Sequence, residues 1–426
     1  MKDMITQIQN ILKYNNFVYS VYRLLKKTLG LELSDFPTKS YIFSKEDARK
    51  VYSVILTGKL HHKIGCQVAT LEKEFANYHS MKYSLATNSG TSALELAIKA
   101  VGIKPGDEVI VPAYTFVATA QAVLSRGGIP VFADIDDTFT ISPISIQKRI
   151  TPKTKAIIPV HIFGNVCNMD SILAISQKNK LAVIEDCCQA IGASYKENKV
   201  GTFGDIGCFS FTENKAITTG QGGMAITSNK KYFDIMNATR ETGQIDEEIG
   251  SDVATTGNTY ALTEMQGALA RSLLTKLDVL NKKRTDNYNF FVETFNTSNL
   301  LLRWYRILSE ASPSFSRLIF MIDFKRLKVS RQKFLKNMIS YGIPMKTFYP
   351  IPIYKYSLFQ RKSDLLTKNE YPFTLNKSID YKKEKLPYVE KFCEQQVGIN
   401  FSPYITEKHV LLLESALRKF AIKNGY

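Results

Sequence analysis

Short apolar runs alternate with stretches of helical spacing between residues 83 and 228, and this alternation restricts the possible folds more than any other feature. The apolar runs lie at 83–86, 108–112, 129–133, 156–160 and 181–185. Helical patterns start near Thr91 and then extend from about Phe116 to Arg126 and from about Met169 to Lys178. Because strands that alternate with helices form parallel sheets, we predict an α/β fold with a mainly parallel sheet between layers of helices.

The pattern changes in the C-terminal half of the chain. Strand-like runs at 207–211 and 223–227 close the alternating region, and a long helix is predicted over 261–282. Beyond about residue 300 we predict, in order, a strand over 318–324, a helix over 330–340, an irregular stretch over 351–386 and a final helix over 407–423. We therefore predict a helical extension over 1–45, a large α/β domain over 46–290 and a smaller α+β domain over 291–426.

The charge of the chain restricts its partners only weakly. The 426 residues carry a formal net charge of +17, and a basic surface attracts nucleic acids, anionic membranes or phosphorylated substrates. The basic residues are dispersed, and no nucleic-acid-binding motif stands out. We therefore expect a solvated basic surface with no nucleic-acid partner, which is compatible with a phosphorylated substrate.

The N-terminal residues and the cysteines indicate the compartment. Residues 4–31 have the spacing of a basic amphipathic helix, which could touch an anionic membrane surface or, as we prefer, pack on the body of the protein. No apolar run approaches the roughly 18 residues of a membrane span. The six cysteines include no CxxC pair, which favours reduced thiols. We expect a cytoplasmic protein without stable membrane insertion and without a metal site.

Asn88-Ser89-Gly90-Thr91-Ser92 stands between a predicted strand and a predicted helix. A glycine lets the backbone approach a ligand closely, and the amides at a helix start bind phosphate. Taken alone, the same residues are more typical of an ordinary helix N-cap than of a phosphate site. This motif is therefore a candidate phosphate site that needs support from elsewhere in the chain.

Glu185-Asp186 ends another apolar run, at the position where an open parallel sheet carries its functional groups. A carboxylate there can pair with a cationic ring nitrogen, although it can also cap the next segment. Lys215 lies between the run at 207–211 and the glycine-rich stretch at 220–223. A lysine that forms a Schiff base must first lose its proton, which requires a lowered pKa. A lone loop lysine is usually only solvated.

The same glycine-rich stretch formally matches a dinucleotide-binding fingerprint over 220–225. That fingerprint requires a helix directly after the glycines, whereas residues 224–227 have the pattern of a strand. We therefore reject a dinucleotide-binding function for this stretch.

Six ordered stretches together resemble the DegT–DnrJ–StrS type of sugar aminotransferases, which are fold-type-I pyridoxal-phosphate enzymes. They are NSGTSALELA at 88–97, GDEVIVPAYTFVATA at 106–120, IPVHIFGN at 158–165, IEDCCQAIGA at 184–193, GCFSFTENKAITTGQGGMAIT at 207–227 and LTEMQGALA at 262–270. Ordered motifs that reinforce each other are far more specific than any single motif. The resemblance covers residues 67–420 and implies a large domain with a seven-stranded sheet, a smaller C-terminal domain and pyridoxal 5'-phosphate as the cofactor.

The resemblance also implies roles for individual residues. Lys215 would be the catalytic residue that binds the cofactor as a Schiff base, and Asp186 would pair with the pyridinium nitrogen. Phe116 would stack on the ring of the cofactor, and Gln189 would contact its phenolic oxygen. The phosphate would be bound by Gly90, Thr91, Ser92 and Ser210, with Asn258 reaching the phosphate of the other subunit. His161 could line the site, although a structural histidine is at least as plausible.

The implied reaction moves an amino group from an amino acid, expected to be L-glutamate, to a nucleotide-linked keto sugar. Surface-polysaccharide synthesis is the common setting of the family, and the enzymes are homodimers with active sites at the interface. Lys215 argues against the relatives that dehydrate sugars, because those carry a histidine at that position. A regulator or scaffold that only retains the fold is the remaining alternative.

The sequence departs from the family at four positions. Many members have Asn and Arg near the positions of Thr259 and Ala261, so that Asn258 is expected to serve with a shift of one residue. Gln221 replaces a commonly acidic residue, and Tyr354 replaces a frequent histidine. These changes affect the predicted substrate more than the cofactor chemistry.

Overall fold

The computed structural model describes residues 36–39, 41–245, 252–296 and 302–423. The predicted helix over 4–31 lies outside these residues. Within them, no helix combines the length and the apolar character that crossing a membrane would require.

The described strands form one seven-stranded sheet and two three-stranded sheets. In chain order they are β1 Tyr83–Thr87, β2 Glu108–Pro112, β3 Ile129–Ala133, β4 Thr154–Ile157, β5 Ala182–Asp186, β6 Ser194–Tyr195, β7 Asn198–Lys199, β8 Ile206–Ser210, β9 Gly223–Thr227, β10 Leu302–Trp304, β11 Ala311–Ser312, β12 Arg317–Ile322 and β13 Gln396–Asn400. The large sheet has the order β1-β9-β8-β5-β4-β2-β3. Only β9 runs antiparallel to its neighbours. The predicted mainly parallel sheet of seven strands is therefore confirmed.

The helices cover the sheets and connect their strands. They are α1 Lys45–Thr57, α2 Gln67–Tyr78, α3 Gly90–Ala100, α4 Ala118–Ser125, α5 Pro143–Arg149, α6 Met169–Asn179, α7 Lys230–Arg240, α8 Glu264–Leu274, α9 Leu277–Asn296, α10 Arg331–Ser340, α11 Ser357–Arg361, α12 Pro387–Gln395 and α13 Glu407–Lys423. Short 3₁₀ turns occupy Ile162–Gly164, Ile353–Lys355 and Phe373–Leu375.

The single helix predicted over 261–282 is wrong. The chain forms two helices there, since α8 begins at Glu264 behind a capping box of Thr263 and Gln266 and ends at Leu274, after which α9 continues to Asn296. No glycine or proline marks the break between them. Fully buried Leu277 begins the second helix, so packing sets this boundary rather than a local signal in the sequence.

The apolar runs of the sequence become the inner strands because both faces of the large sheet are covered. In β2, Val109 and Val111 belong to one buried cluster, whereas Ile110 between them belongs to the other. A strand that is buried on both faces needs apolar residues at every position, which explains runs that do not alternate with polar residues.

The C-terminal part forms the antiparallel sheet β10-β12-β13 with helices packed against it. Helix α9 leads from the large sheet into this part and contacts α13. Because α9 runs through residue 290, the domain boundary predicted there falls within a helix and stays a prediction.

Candidate active site

The ends of β1, β5 and β8 meet at one edge of the large sheet, and the start of β9 lies between them. Gly223 pairs with Thr87 on one side and with Ser210 on the other, and Asp186 pairs with Cys208 in the neighbouring strand. Sequence motifs that are more than a hundred residues apart are thereby brought to the edge where open α/β sheets carry their ligands.

Helix α3 starts at this edge and requires a glycine at its first position. A Cβ atom on Gly90 would lie 2.8 Å from the Sγ atom of Cys188 and 2.8 Å from the Cβ atom of Ser210. Ser89 caps the helix by accepting a hydrogen bond from the amide of Ser92, and the Ser92 hydroxyl donates to Asn88. The predicted N-cap and the close backbone approach therefore occur together. Thr91 is partly exposed at the helix start.

Asp186 is nearly buried and is held in a fixed orientation. Its Oδ2 atom accepts a hydrogen bond of 2.8 Å from the Thr119 hydroxyl, and its Oδ1 atom accepts one of 3.1 Å from the Cys188 amide. Thr119 lies in α4, three positions after Phe116, and the sequence analysis did not identify it. The signal available in the sequence was a hydroxyl side chain about one helical turn after Phe116, the aromatic residue expected to stack on the cofactor.

The neighbouring Glu185 anchors the same strand end, a role that the sequence analysis did not assign to it. Its carboxylate is fully buried and accepts hydrogen bonds from the amides of Gly201, Phe203 and Gly204 at 2.7–2.8 Å. The Nε2 atom of buried His161 lies 3.1 Å from the same carboxylate. The Nδ1 atom of His161 accepts a hydrogen bond from the backbone amide of Cys167. The Nε2 atom therefore carries the proton and donates a hydrogen bond to Glu185. His161 is therefore a satisfied structural residue.

Glu185, His161 and Cys187 approach one another closely enough to form a candidate metal site. The carboxylate oxygens of Glu185 already accept four hydrogen bonds, and both ring nitrogens of His161 are engaged. Because these ligand atoms hold one another in a buried network, the cluster is explained as part of the scaffold beneath Asp186.

Lys215 follows β8 in a turn in which its amide donates to the carbonyl of Thr212. The pKa of its amine is lowered to about 8, mainly because burial disfavours the charged form. Cys188 and Asp186 oppose this shift, whereas the guanidinium of Arg317 adds to it. The side chain keeps partial access to solvent. The amine is therefore easier to deprotonate than that of an ordinary lysine.

Aromatic side chains surround the open side of the site. The ring of Phe116 is 55% exposed and lies 6.2 Å from the ring of Tyr349. Gln189 lies behind these rings, where its Oε1 atom accepts hydrogen bonds from Arg317 and from the amide of Phe163. Arg317 and Tyr349 come from the C-terminal part of the chain; Tyr349 lies in the stretch 342–354, which agrees more weakly with the family, and no motif pointed to Arg317.

The segment around Asn258 lies beside the start of α3. The amide of Asn88 donates to the carbonyl of Tyr260, and the side chain of Asn88 donates to the carbonyl of Thr259. Asn258 itself is exposed and donates to the Tyr260 hydroxyl at 2.9 Å. Its side chain thus remains accessible at the surface, as a contact to another subunit requires.

The comparison with protein families identifies the chain. The model of the DegT/DnrJ/EryC1/StrS aminotransferase family matches residues 42–410. The chain belongs to this family. It is a pyridoxal-phosphate-dependent aminotransferase, in agreement with the cofactor and the reaction class that the sequence predicted.

Three similar proteins illustrate the relationship of this aminotransferase to characterised enzymes. It is 33% identical to the UDP-N-acetyl-3-dehydro-alpha-D-glucosamine 3-aminotransferase of Acidithiobacillus ferrooxidans, over 84% of this chain and 89% of that protein. It is 42% identical to the GDP-perosamine synthase of Caulobacter vibrioides, over 50% of this chain and 58% of that protein. The structure of S. venezuelae DesV in complex with a ketimine intermediate superposes with a TM-score of 0.78 at 26% identity, covering 88% of this chain and 94% of DesV.

The residues at the sheet edge of this aminotransferase fit pyridoxal phosphate. The backbone cradle at Gly90 has no space for a side chain, and amides at a helix start suit a phosphate. Asp186 presents an oriented carboxylate for a cationic ring nitrogen, and exposed Phe116 presents an aromatic face. The three requirements of the cofactor are an anion site, a carboxylate and a deprotonatable amine, and all three occur at one edge of the sheet.

Proposed function

We propose that this aminotransferase moves the amino group of L-glutamate to a keto sugar that is linked to a nucleoside diphosphate. The observation that carries the proposal is the amine of Lys215, which has a lowered pKa and lies within electrostatic reach of buried Asp186. Both named relatives carry a sugar nucleotide in their names. The net charge of +17 is favourable for a diphosphate-containing substrate. Surface-polysaccharide synthesis is the setting that we propose.

We assign the roles within the site as follows. Lys215 binds the cofactor, and its amine later holds and moves the proton that the reaction transfers. Asp186, oriented by Thr119, stabilises the protonated ring nitrogen. The cofactor supplies the electron sink of the reaction when it is bound. Phe116 would cover one face of its ring, and Gln189 would donate to its phenolic oxygen.

The phosphate site is proposed at the start of α3. The backbone there, at Gly90 and Thr91, offers amides, and the buried hydroxyls of Ser92 and Ser210 line the same edge. Ser92 already donates to Asn88, and Ser210 shares a hydrogen bond with Thr212. We therefore expect the amides to contribute more than these two hydroxyls. Asn258 is assigned to the phosphate of the partner subunit.

A homodimer is proposed from an exposed apolar surface on and beside α1. One side of α1 packs on the body of the protein, where buried Asp47 pairs with Lys276 at 2.6 Å and accepts a hydrogen bond from Ser272. Between residues 42 and 64, by contrast, seven large apolar side chains are at least two-fifths exposed, namely Ile42, Phe43, Tyr52, Ile55, Leu56, Leu60 and Ile64. Such a surface is typical of a protein–protein interface, and a second copy of the chain is the occupant we propose.

Absorption spectra of the wild type and of Lys215→Ala, recorded with pyridoxal phosphate before and after addition of glutamate, test the proposed reaction. We expect a band of lysine-bound cofactor in the wild type that glutamate converts to the amine form of the cofactor. Lys215→Ala should lack the band, whereas Lys178→Ala, which changes an exposed lysine on α6, should retain it. A wild type without the band would contradict the enzymatic function and favour a regulator. A band that glutamate leaves unchanged would contradict glutamate as the donor.

A further inference from the structure

Arg317 stands at the first position of β12 and reaches from the C-terminal part of the chain to the candidate active site. Its Nη1 atom donates a hydrogen bond of 2.7 Å to the Oε1 atom of Gln189. The guanidinium also lies over two aromatic rings, 4.9 Å from the centroid of Phe348 and 5.6 Å from that of Phe163. Cation–π contacts and a charge-assisted hydrogen bond therefore hold it in place.

The two donors at Gln189 determine which way its amide group points. The guanidinium of Arg317 and the backbone amide of Phe163 can only donate, and both face the Oε1 atom of Gln189. The opposite orientation would place the NH₂ group against two donors. The Nε2 atom of Gln189 is therefore turned the other way, to the side of the Tyr349 hydroxyl at 3.5 Å.

Among the residues that the structure describes, no carboxylate forms an ion pair with Arg317. In the C-terminal part of the chain that the structure describes, the ion pairs are made by other cations, namely Arg306, Lys355, Lys383 and Arg418. The Nε atom of Arg317 is buried without a hydrogen-bond partner. A second cation, Lys346, contacts the same ring: its amine lies 4.9 Å from the centroid of Phe348, and burial together with Arg317 lowers its pKa.

Backbone strain accumulates around the same contact. Phe163, Phe315 and Tyr349 all have positive φ angles, of 59°, 46° and 43°. These are left-handed conformations that bulky residues rarely adopt. The amide of Ser316, next to Arg317, also donates to the carbonyl of Phe163. Strain of this kind persists where the surrounding contacts fix the geometry, and it clusters at functional sites.

We propose that Arg317 is a positioning residue for the cofactor site. It fixes the amide of Gln189 so that the N–H group of this amide faces the phenolic oxygen of the cofactor. Its positive charge favours the deprotonated state of the lysine–cofactor linkage. This inference rests on the proposed function, because it takes from it the contact between Gln189 and the cofactor.

The electrostatic surroundings of Lys215 agree with the second half of the proposal. Burial is the main reason why the pKa of Lys215 is lowered, and Arg317 lowers it further, whereas Cys188 and Asp186 raise it. The same guanidinium lowers the pKa of the Tyr349 hydroxyl against the larger, raising effect of burial. The positive charge of Arg317 thus lowers the pKa of two groups, the amine of Lys215 and the hydroxyl of Tyr349 beside Gln189.

The test is a spectrophotometric pH titration of the cofactor band in the holoenzyme, together with the dissociation constant of pyridoxal phosphate. Removing a neighbouring positive charge makes protonation easier, so Arg317→Met should raise the pKa of the band by at least about half a unit. It should also weaken cofactor binding at least about threefold, since Gln189 loses its orientation. Arg317→Lys keeps the charge and should restore the pKa, but only part of the cofactor affinity.

Two comparisons separate the contributions of charge and position. Lys346→Met removes the neighbouring cation but leaves the contact to Gln189, so it should leave cofactor affinity unchanged. In a Gln189→Leu background, Arg317→Met should weaken cofactor binding no further, because Arg317 acts through Gln189. Arg331→Met, which removes contacts to backbone carbonyls near Cys393, is the folding control.

An Arg317→Met enzyme with the band pKa and the cofactor affinity of the wild type would overturn the inference. So would a variant whose only defect is a raised KM for glutamate, because Arg317 would then bind the carboxylate of the donor. If Arg317→Met fails to fold, Arg317→Lys still decides the question, because a lysine variant with the full cofactor affinity of the wild type would contradict the positioning role. A wild type without any cofactor band would refute the proposed function itself, which is a different result.

Discussion

At the scale of residues, the candidate site depends on groups whose protonation and orientation are fixed by neighbours that are distant in sequence. Asp186 receives the Thr119 hydroxyl from α4, and Gln189 receives Arg317 from β12. Lys215 is the clearest case, because its lowered pKa arises mainly from burial and is lowered further by Arg317, against the opposing effects of Cys188 and Asp186. A sequence motif can identify such a lysine, but it does not show the surroundings that set the pKa of its amine.

The lowered pKa of Lys215 predicts how cofactor capture depends on pH. With a pKa of about 8, roughly a tenth of the amine is neutral at pH 7, compared with well under 0.1% for an unperturbed lysine. Because only the neutral amine attacks the aldehyde, the rate of capture by the cofactor-free enzyme should rise about tenfold per pH unit below pH 7 and level off above about pH 8. Stopped-flow absorbance measures this rate.

Pyridoxine phosphate, which has no aldehyde, provides the control for that experiment. Its binding should lack the step that depends on Lys215, and any pH dependence that remains belongs to the phosphate and the ring. A capture rate that keeps rising to pH 10 would show that the amine of Lys215 behaves as an ordinary lysine.

At the scale of elements, several helix ends are stabilised by residues from other elements. Helix α2 begins after Cys66, whose side chain does not cap it. The nearly buried carboxylate of Glu264, in α8, accepts hydrogen bonds of 2.6 and 3.0 Å from the amides of Gln67 and Val68 instead. A carboxylate at a helix start is also favoured by the helix dipole. Glu264 therefore joins the start of α2 to the start of α8.

Glu264→Ala should lower the free energy of unfolding by about 2–3 kcal/mol, because it leaves two amides without their charged acceptor. Denaturant titration of the holoenzyme, followed by circular dichroism, measures the change. The matched control is Glu46→Ala, which removes an exposed partner of Lys50 one turn away on α1, and it should change stability by less than about 0.5 kcal/mol. Equal effects of the two variants would disprove the capping role of Glu264.

At the scale of the whole molecule, the fold brings together segments that are separated by a large part of the chain. The large sheet carries the motifs of the site, whereas β12 and the residues around Tyr349 approach it from the C-terminal part. Within the part of the chain that the structure describes, the apolar surface beside α1 is exposed. A complete description of the molecule therefore includes the proposed second copy.

Leu56→Asp tests that assembly, because the side chain is 69% exposed and its replacement costs a single subunit little. Two charges placed in a symmetric apolar interface should weaken dimerisation at least about a hundredfold. Sedimentation velocity should show a dimer for the wild type and a monomer for the variant. Leu366→Asp, at a position that is 89% exposed elsewhere on the surface, should remain dimeric. A monomeric wild type, or a dimeric Leu56→Asp, would contradict the proposed interface.

The sequence by itself determined the class of the fold and the family. Apolar runs that alternate with helical patterns indicated a covered, mainly parallel sheet, and the order of the motifs around Gly90, Asp186 and Lys215 was sufficient to predict the family and the cofactor. These features are local, since each depends on residue types within about ten positions of one another.

Only the tertiary structure decided the break between α8 and α9, the structural role of His161 and the contributions of Thr119, Glu185 and Arg317. In each of these cases the deciding partner lies at least 16 residues away or is a packing contact rather than a motif. Local sequence specifies which strands and helices form. The surroundings that orient a side chain and set its pKa exist only after those elements have packed together.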